Sequence, residues 1–180
     1  HPRVRRQRQM CIRDRAIDVD LAVSKEVMVE AGRHKGASVV EILQNCVIFN
    51  DHIHSYVADK EFRAERTIHL KHGEKMLFGK DLNKGLVLDG FTLKAVTIGE
   101  NGVTLNDILT HDATTRDNFL HQRLAMMDGH ELPLAVGVIR SVDAPVYDQE
   151  VKKQIDSIRE KNPKKTLRDL LLSEETWEVK

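Results

Sequence analysis

Val23, Val27 and Ala31, widened by Met28, recur at the spacing that places side chains on one face of an α-helix, and they predict a helix over residues 21–35. Asp18 or Asp20 can cap its start, and Arg33, His34 and Lys35 suit the negative end of its dipole, with Gly36 suited to the position beyond. The next segment, ASVVEILQ at residues 37–44, has Val39, Val40, Ile42 and Leu43 distributed over both faces. It predicts a strand buried on two sides, as in a parallel sheet with helices on both faces. A helix followed by such a strand is half a βαβ unit, so the expected class is α/β.

Further along, HIHSYVADKEFRAER predicts a helix begun by Asn50 or Asp51, and residues 66–80 alternate weakly. Turn signals at 83–85, 89–90 and 101–102 bracket strand candidates at 86–88 and 93–98, which predict antiparallel strands or extended arms. Thr104 with Asp107 has the spacing of a capping box. Phe119, Leu120, Leu124 and Met127 are in phase for a second helix, and LPLAVGVIRSV reads as another strand. A charged helix follows from about Asp148 to near Pro163, then a short TLRDLLL helix.

Composition changes this picture at one place. The chain has 180 residues and equal numbers of basic and acidic side chains, but residues 1–15 hold six arginines against the one acid Asp14. The remaining residues are therefore mildly acidic, which argues against a nucleic-acid surface. HPRVRRQRQMCIRDR has no serine and no apolar stripe, so it fits neither a mitochondrial presequence nor a secretory signal. A basic arm is one reading. The other is that RRQRQMCIRDR resembles the in-frame translation of a transposase-library sequencing adapter, which makes residues 1–15 an expected artefact, disordered, ahead of a truncated gene. No apolar run approaches the ~20 residues of a membrane span. Two cysteines, Cys11 and Cys46, make no disulfide framework, so a cytoplasmic location is expected.

Cys46 is the principal candidate for chemistry. It follows the predicted strand at 37–44, and open α/β sheets bind ligands beyond the carboxyl ends of their strands. A thiol there can ligate a metal or attack a substrate; it can equally be a packed core residue. The pairs His52-x-His54 and His69-x-x-His72, with His34, His111, His121 and His130 elsewhere, leave open a histidine-based zinc site or solvated surface histidines. Gly99-Glu100-Asn101-Gly102 is turn chemistry, Gly79-Lys80-Asp81 lacks the glycine spacing of a phosphate loop, and Asp107 and Asp112 suit capping or solvated roles.

Read whole, HKGASVVEILQNCVIFND resembles the later part of the β subunits of 2-oxoacid:ferredoxin oxidoreductases. The likeness continues through KMLFGKDLNKGLVLDGF, VTIGENGVTLNDILTHD and LPLAVGVIRSVDAPVYD, and QNCVIFND is closer to the 2-oxoglutarate group. The resemblance implies a subunit that carries thiamine diphosphate, magnesium and a 4Fe-4S cluster. With an α subunit it would oxidise a 2-oxoacid to the acyl-CoA, using coenzyme A and passing electrons to ferredoxin. By the resemblance, Cys46 is the fourth cluster ligand; the other ligands and the Gly-Asp-Gly-type diphosphate motif belong to a part of the family pattern absent from this chain. The expected organisation is residues 16–60 as the terminal part of a thiamine diphosphate-binding parallel-sheet domain and 61–180 as an irregular α+β C-terminal arm, inactive alone. The competing expectation is a non-catalytic interaction protein whose charged tail docks a partner.

Overall fold

The structure is a computed structural model describing residues 12–161 and 166–171. Residues 1–11, with Cys11, and the expected helix end at Pro163 lie outside the described residues. The chain divides into two compact units, His1–Ala144 and Pro145–Lys180.

The first unit begins with β1 (Ile12–Ile17), α1 (Leu21–Arg33) and β2 (Ser38–Leu43). The α1 helix starts where Asp20 accepts the backbone N–H of Val23 at 3.2 Å, and its Val23 and Val27 are buried as the apolar periodicity requires. It ends two residues short of the expected bound, because His34 has already turned to extended backbone. Instead of one helix at 52–66, the chain forms α2 (Ser55–Ala58) and α3 (Lys60–Arg66), separated where Asp59 adopts extended backbone, with ψ of 133°.

Next come β3 (Thr67–Leu70), β4 (Leu77–Phe78), β5 (Lys84–Asp89) and β6 (Thr92–Thr97). Of the antiparallel strands or extended arms expected here, the chain forms antiparallel strands, with β5 and β6 paired as a hairpin. Gly90 has φ of 58° and opens the connection, as the first central residue of a two-residue hairpin loop often must. A 3-10 turn (Leu105–Asp107) follows, in which the Thr104 N–H and hydroxyl both donate to Asp107 Oδ2. The unit closes with α4 (Phe119–Ala125) and β7 (Leu134–Ser141).

Two sheets result. One has the order β2-β1-β7-β3, the other β4-β5-β6. In the first, β1 runs parallel to β2 and antiparallel to β7, while β3 runs parallel to β7. The class is α/β as expected, but the sheet is mixed where a parallel one was expected. Its strands come from both sides of residue 60, so the boundary expected there does not interrupt the sheet.

Two further expectations change. Residues 12–15, expected to be disordered, belong to a strand between β2 and β7. The β2 strand, expected to be buried on both faces, lies at the sheet's edge with Val39 40% and Ile42 46% exposed. The strand is apolar on both faces, but the elements of this chain cover it incompletely.

One apolar cluster joins Ala16, Ile17, Val23, Val27, Val57 and Val136. A second gathers Ile68, Leu70, Leu86, Leu124 and Ile139, among others. Each fully buried side chain of this size contributes roughly 1.5–3 kcal/mol. Arg15 is buried between these elements, its guanidinium donating to Glu41 Oε2 and to the carbonyls of Met127 and Ala125, so it closes the C-terminal end of α4. The second unit contains α5 (Tyr147–Lys161) and α6 (Leu167–Leu171).

Candidate functional site

The loop after β2 is organised by a single side chain. The backbone N–H of Asn45 donates to Asp18 Oδ2 at 3.4 Å, its Nδ2 donates to Asp51 Oδ1 at 2.9 Å, and its Oδ1 accepts the His52 N–H at 2.8 Å. Asp18, considered as a helix cap, thus serves this loop, and Asp20 caps α1. The Asn50 N–H donates to the Cys46 carbonyl at 2.9 Å and closes the loop's neck. His52 takes φ of 61°, the left-handed turn that lets its N–H point back at Asn45. The hydrogen bond from Asn45, aided by His52, holds the Asp51 carboxyl below the usual carboxylate range.

Cys46 stands at the neck of this loop as an exposed free thiol. The packed-core alternative is therefore not realised in this chain. Beside it, Val47, Ile48 and Phe49 are 73%, 83% and 90% exposed. Three consecutive apolar side chains in water form a surface that burial against further protein would stabilise.

A 4Fe-4S cluster takes four protein ligands, most often thiolates. Cys46 is the one cysteine among the described residues. The sequence also has no Gly-Asp-Gly diphosphate motif. The residues present therefore do not form a complete site for the cluster or for thiamine diphosphate with magnesium.

The histidines do not make a metal centre. Among the described residues, no three His, Cys, Asp or Glu side chains come together to hold an ion. His52 lies 3.3 Å from Asp51, His69 pairs with Glu26 at 3.1 Å, and His72 lies 3.4 Å from Asp112. His130 stacks on Tyr56 at 4.4 Å between ring centroids. His111 and His121 are buried against backbone carbonyls. The zinc site expected as an alternative is therefore not formed among the described residues, where these histidines meet single carboxylates, rings or backbone carbonyls.

Of the capping or solvated roles expected, Asp107 caps the 3-10 turn by accepting from Thr104, and the exposed Asp112 accepts from Thr114 within a turn. These bonds, from Thr104 and Thr114 in turn, hold each carboxyl below its usual range. The Asn45 frame was missed by sequence reasoning. Its signal was the cluster of Asn and Asp around Cys46, which is turn chemistry that can be recognised but not assigned to partners. Among the described residues, no helix is long and apolar enough to cross a membrane.

No family model and no solved structure matches the chain. One curated relative does. The chain is 34% identical over 168 residues to the 2-oxoglutarate oxidoreductase subunit KorB of Mycobacterium tuberculosis (strain ATCC 25618 / H37Rv), covering 92% of this chain and 44% of that protein. The chain thus spans less than half the length of the relative it matches. This similarity agrees with the kinship expected from QNCVIFND and its companion motifs: over nearly all its length the chain resembles a 2-oxoglutarate oxidoreductase subunit.

Proposed function

We propose that the chain works as part of the β subunit of an oxidoreductase that converts 2-oxoglutarate, with coenzyme A, to the acyl-CoA and reduces ferredoxin. The observation that carries this reading is the identity with the KorB subunit across 92% of the chain. In the completed subunit Cys46 contributes one thiolate to a 4Fe-4S cluster, with the Asn45 frame holding the loop that presents it. Thiamine diphosphate with magnesium supplies the carbanion chemistry of decarboxylation when bound, from residues outside this chain. The exposed run Val47–Ile48–Phe49 is covered in the assembly with the α subunit or the rest of the β subunit. Alone, the chain holds too few of these groups to turn over substrate.

The test is complementation. A β subunit completed with the remaining portion of a KorB-type protein, and paired with its α subunit, is expected to reduce ferredoxin in a reaction requiring both 2-oxoglutarate and coenzyme A. Pyruvate is expected to be the poorer substrate. A folded, cofactor-loaded complex that turns over neither 2-oxoacid would refute the proposal.

A further inference from the structure

His111, His121 and Arg140 form a buried polar knot remote in sequence from Cys46 and unused by the proposed chemistry. His111, on the loop before α4, is 1% exposed, and His121, on α4, is 3% exposed. Their rings meet edge to face with centroids 6.1 Å apart. His111 Nε2 lies 2.8 Å from the Val138 carbonyl, and its Nδ1 is buried without a partner. His121 Nε2 lies 2.8 Å from the Asp112 carbonyl, and its Nδ1 lies 3.0 Å from Arg140 Nη1, which also donates to the Thr115 carbonyl at 3.1 Å.

These contacts fix the proton positions. A guanidinium can only donate, so His121 Nδ1 accepts and its Nε2 carries the proton given to Asp112. His111 likewise donates from Nε2, leaving a bare lone pair on Nδ1. A second proton has no place in this arrangement. On His121 it would face the Arg140 N–H; on His111 it would create a buried cation with no acceptor.

We propose that the knot is an acid-operated clasp: protonation of the histidine pair breaks the Arg140–His121 bond and releases the 112–118 loop from β7 while the four-stranded sheet persists. Burial, the largest influence, holds both histidines below their ordinary pKa. Arg140 beside His121, and His121 and His72 beside His111, act in the same direction. Opposing them are the hydrogen bonds to the Val138 and Asp112 carbonyls and, more weakly, the carboxylates of Asp112 and Asp117. Of these charged groups, Asp112 and Asp117 come from the loop, His72 from the segment after β3, and Arg140 from β7. Because the folded pKa values are depressed, the clasp is fully closed above about pH 6.5 and loses stability as pH falls below it.

The Ser141 N–H, which donates to the Ala113 carbonyl at 2.7 Å, reports directly on loop attachment. Hydrogen exchange at that amide, corrected for its intrinsic rate, is expected to lose more than about tenfold of its protection between about pH 7.5 and pH 5, with the β1–β2 amides unchanged. His121→Gln keeps an acceptor for Arg140 and a donor for Asp112 but cannot be protonated. Combined with His111→Phe, it is expected to abolish the acid response. Should that variant fail to fold, ring NMR titration of the native chain decides: histidine protonation must coincide with the change at Ser141. Equal protection at both pH values, an acid response retained by the folded double variant, or ring protonation without a change at Ser141 would overturn the proposal.

Discussion

Gly137→Ala is expected to cost about 3 kcal/mol or more in urea unfolding. Gly137 lies within β7, paired with Leu70 on one side and Arg15 on the other. Its φ of 95° is a conformation that L side chains rarely adopt. A Cβ there would stand 2.6 Å from the Leu70 carbonyl oxygen and 2.8 Å from His69 Cδ2. The carbonyl belongs to the neighbouring strand and cannot retreat without disturbing that pairing. The β1–β7 register also shifts close by, between Arg13 and Asp14, so this region already bends the sheet. Gly73 provides the control, because its φ is 81° but nothing lies within 4 Å of the added Cβ. Gly73→Ala should therefore show only the conformational cost, about 1–2 kcal/mol. Equal losses at the two positions would refute the close contact at Gly137.

Asp14→Val is expected to act in the opposite direction and stabilise the chain. Asp14 is fully buried in β1, and neither carboxylate oxygen has a hydrogen-bond partner. Burial, with a smaller contribution from Glu30, pushes its pKa from 3.8 up to about 7. In the unfolded chain the carboxyl ionises near its ordinary value, so folding must hold a proton that the unfolded state releases. The penalty is absent below about pH 4, grows as pH rises, and is complete above about pH 7, where it approaches about 4 kcal/mol. Valine fits a half-buried pleated surface and has no charge to desolvate. The difference in urea stability between variant and native chain should therefore be small near pH 4 and large near pH 8. A variant no more stable at the higher pH would mean that the carboxylate has a partner. Arg15, next in the strand, makes the contrast, being buried with an acceptor for each of its three guanidinium nitrogens in Glu41, Met127 and Ala125.

What could be read from the sequence followed from local physics. The α1 stripe, the hairpin at Gly90, the Thr104–Asp107 turn and β7 each depend on residues close together in the chain. β1 is not legible, because IRDR carries a charge pattern that resembles no strand. The edge position of β2 could not be read either, since Val39, Val40, Ile42 and Leu43 show how apolar a strand is and not which neighbours it receives. At the site, the choice of Cys46 came from its position after a strand together with the surrounding motif. The Asn45 frame and the His111–His121–Arg140 knot depend on partners supplied by the fold. Histidine spacing is uninformative for the same reason: the fold gives His52, His69 and His72 the carboxylates of Asp51, Glu26 and Asp112 as neighbours.

The central claim concerns Cys46, and iron measures it most directly. A completed β subunit bearing this chain and copurified with its α subunit should bind the iron of a 4Fe-4S cluster, about four atoms, with the corresponding electron paramagnetic resonance signal after reduction. Cys46→Ser should lose most of that iron and alter the signal, while circular dichroism stays unchanged because serine is nearly isosteric with cysteine. Iron content and signal identical in the two proteins would contradict the assignment of Cys46 as a cluster ligand.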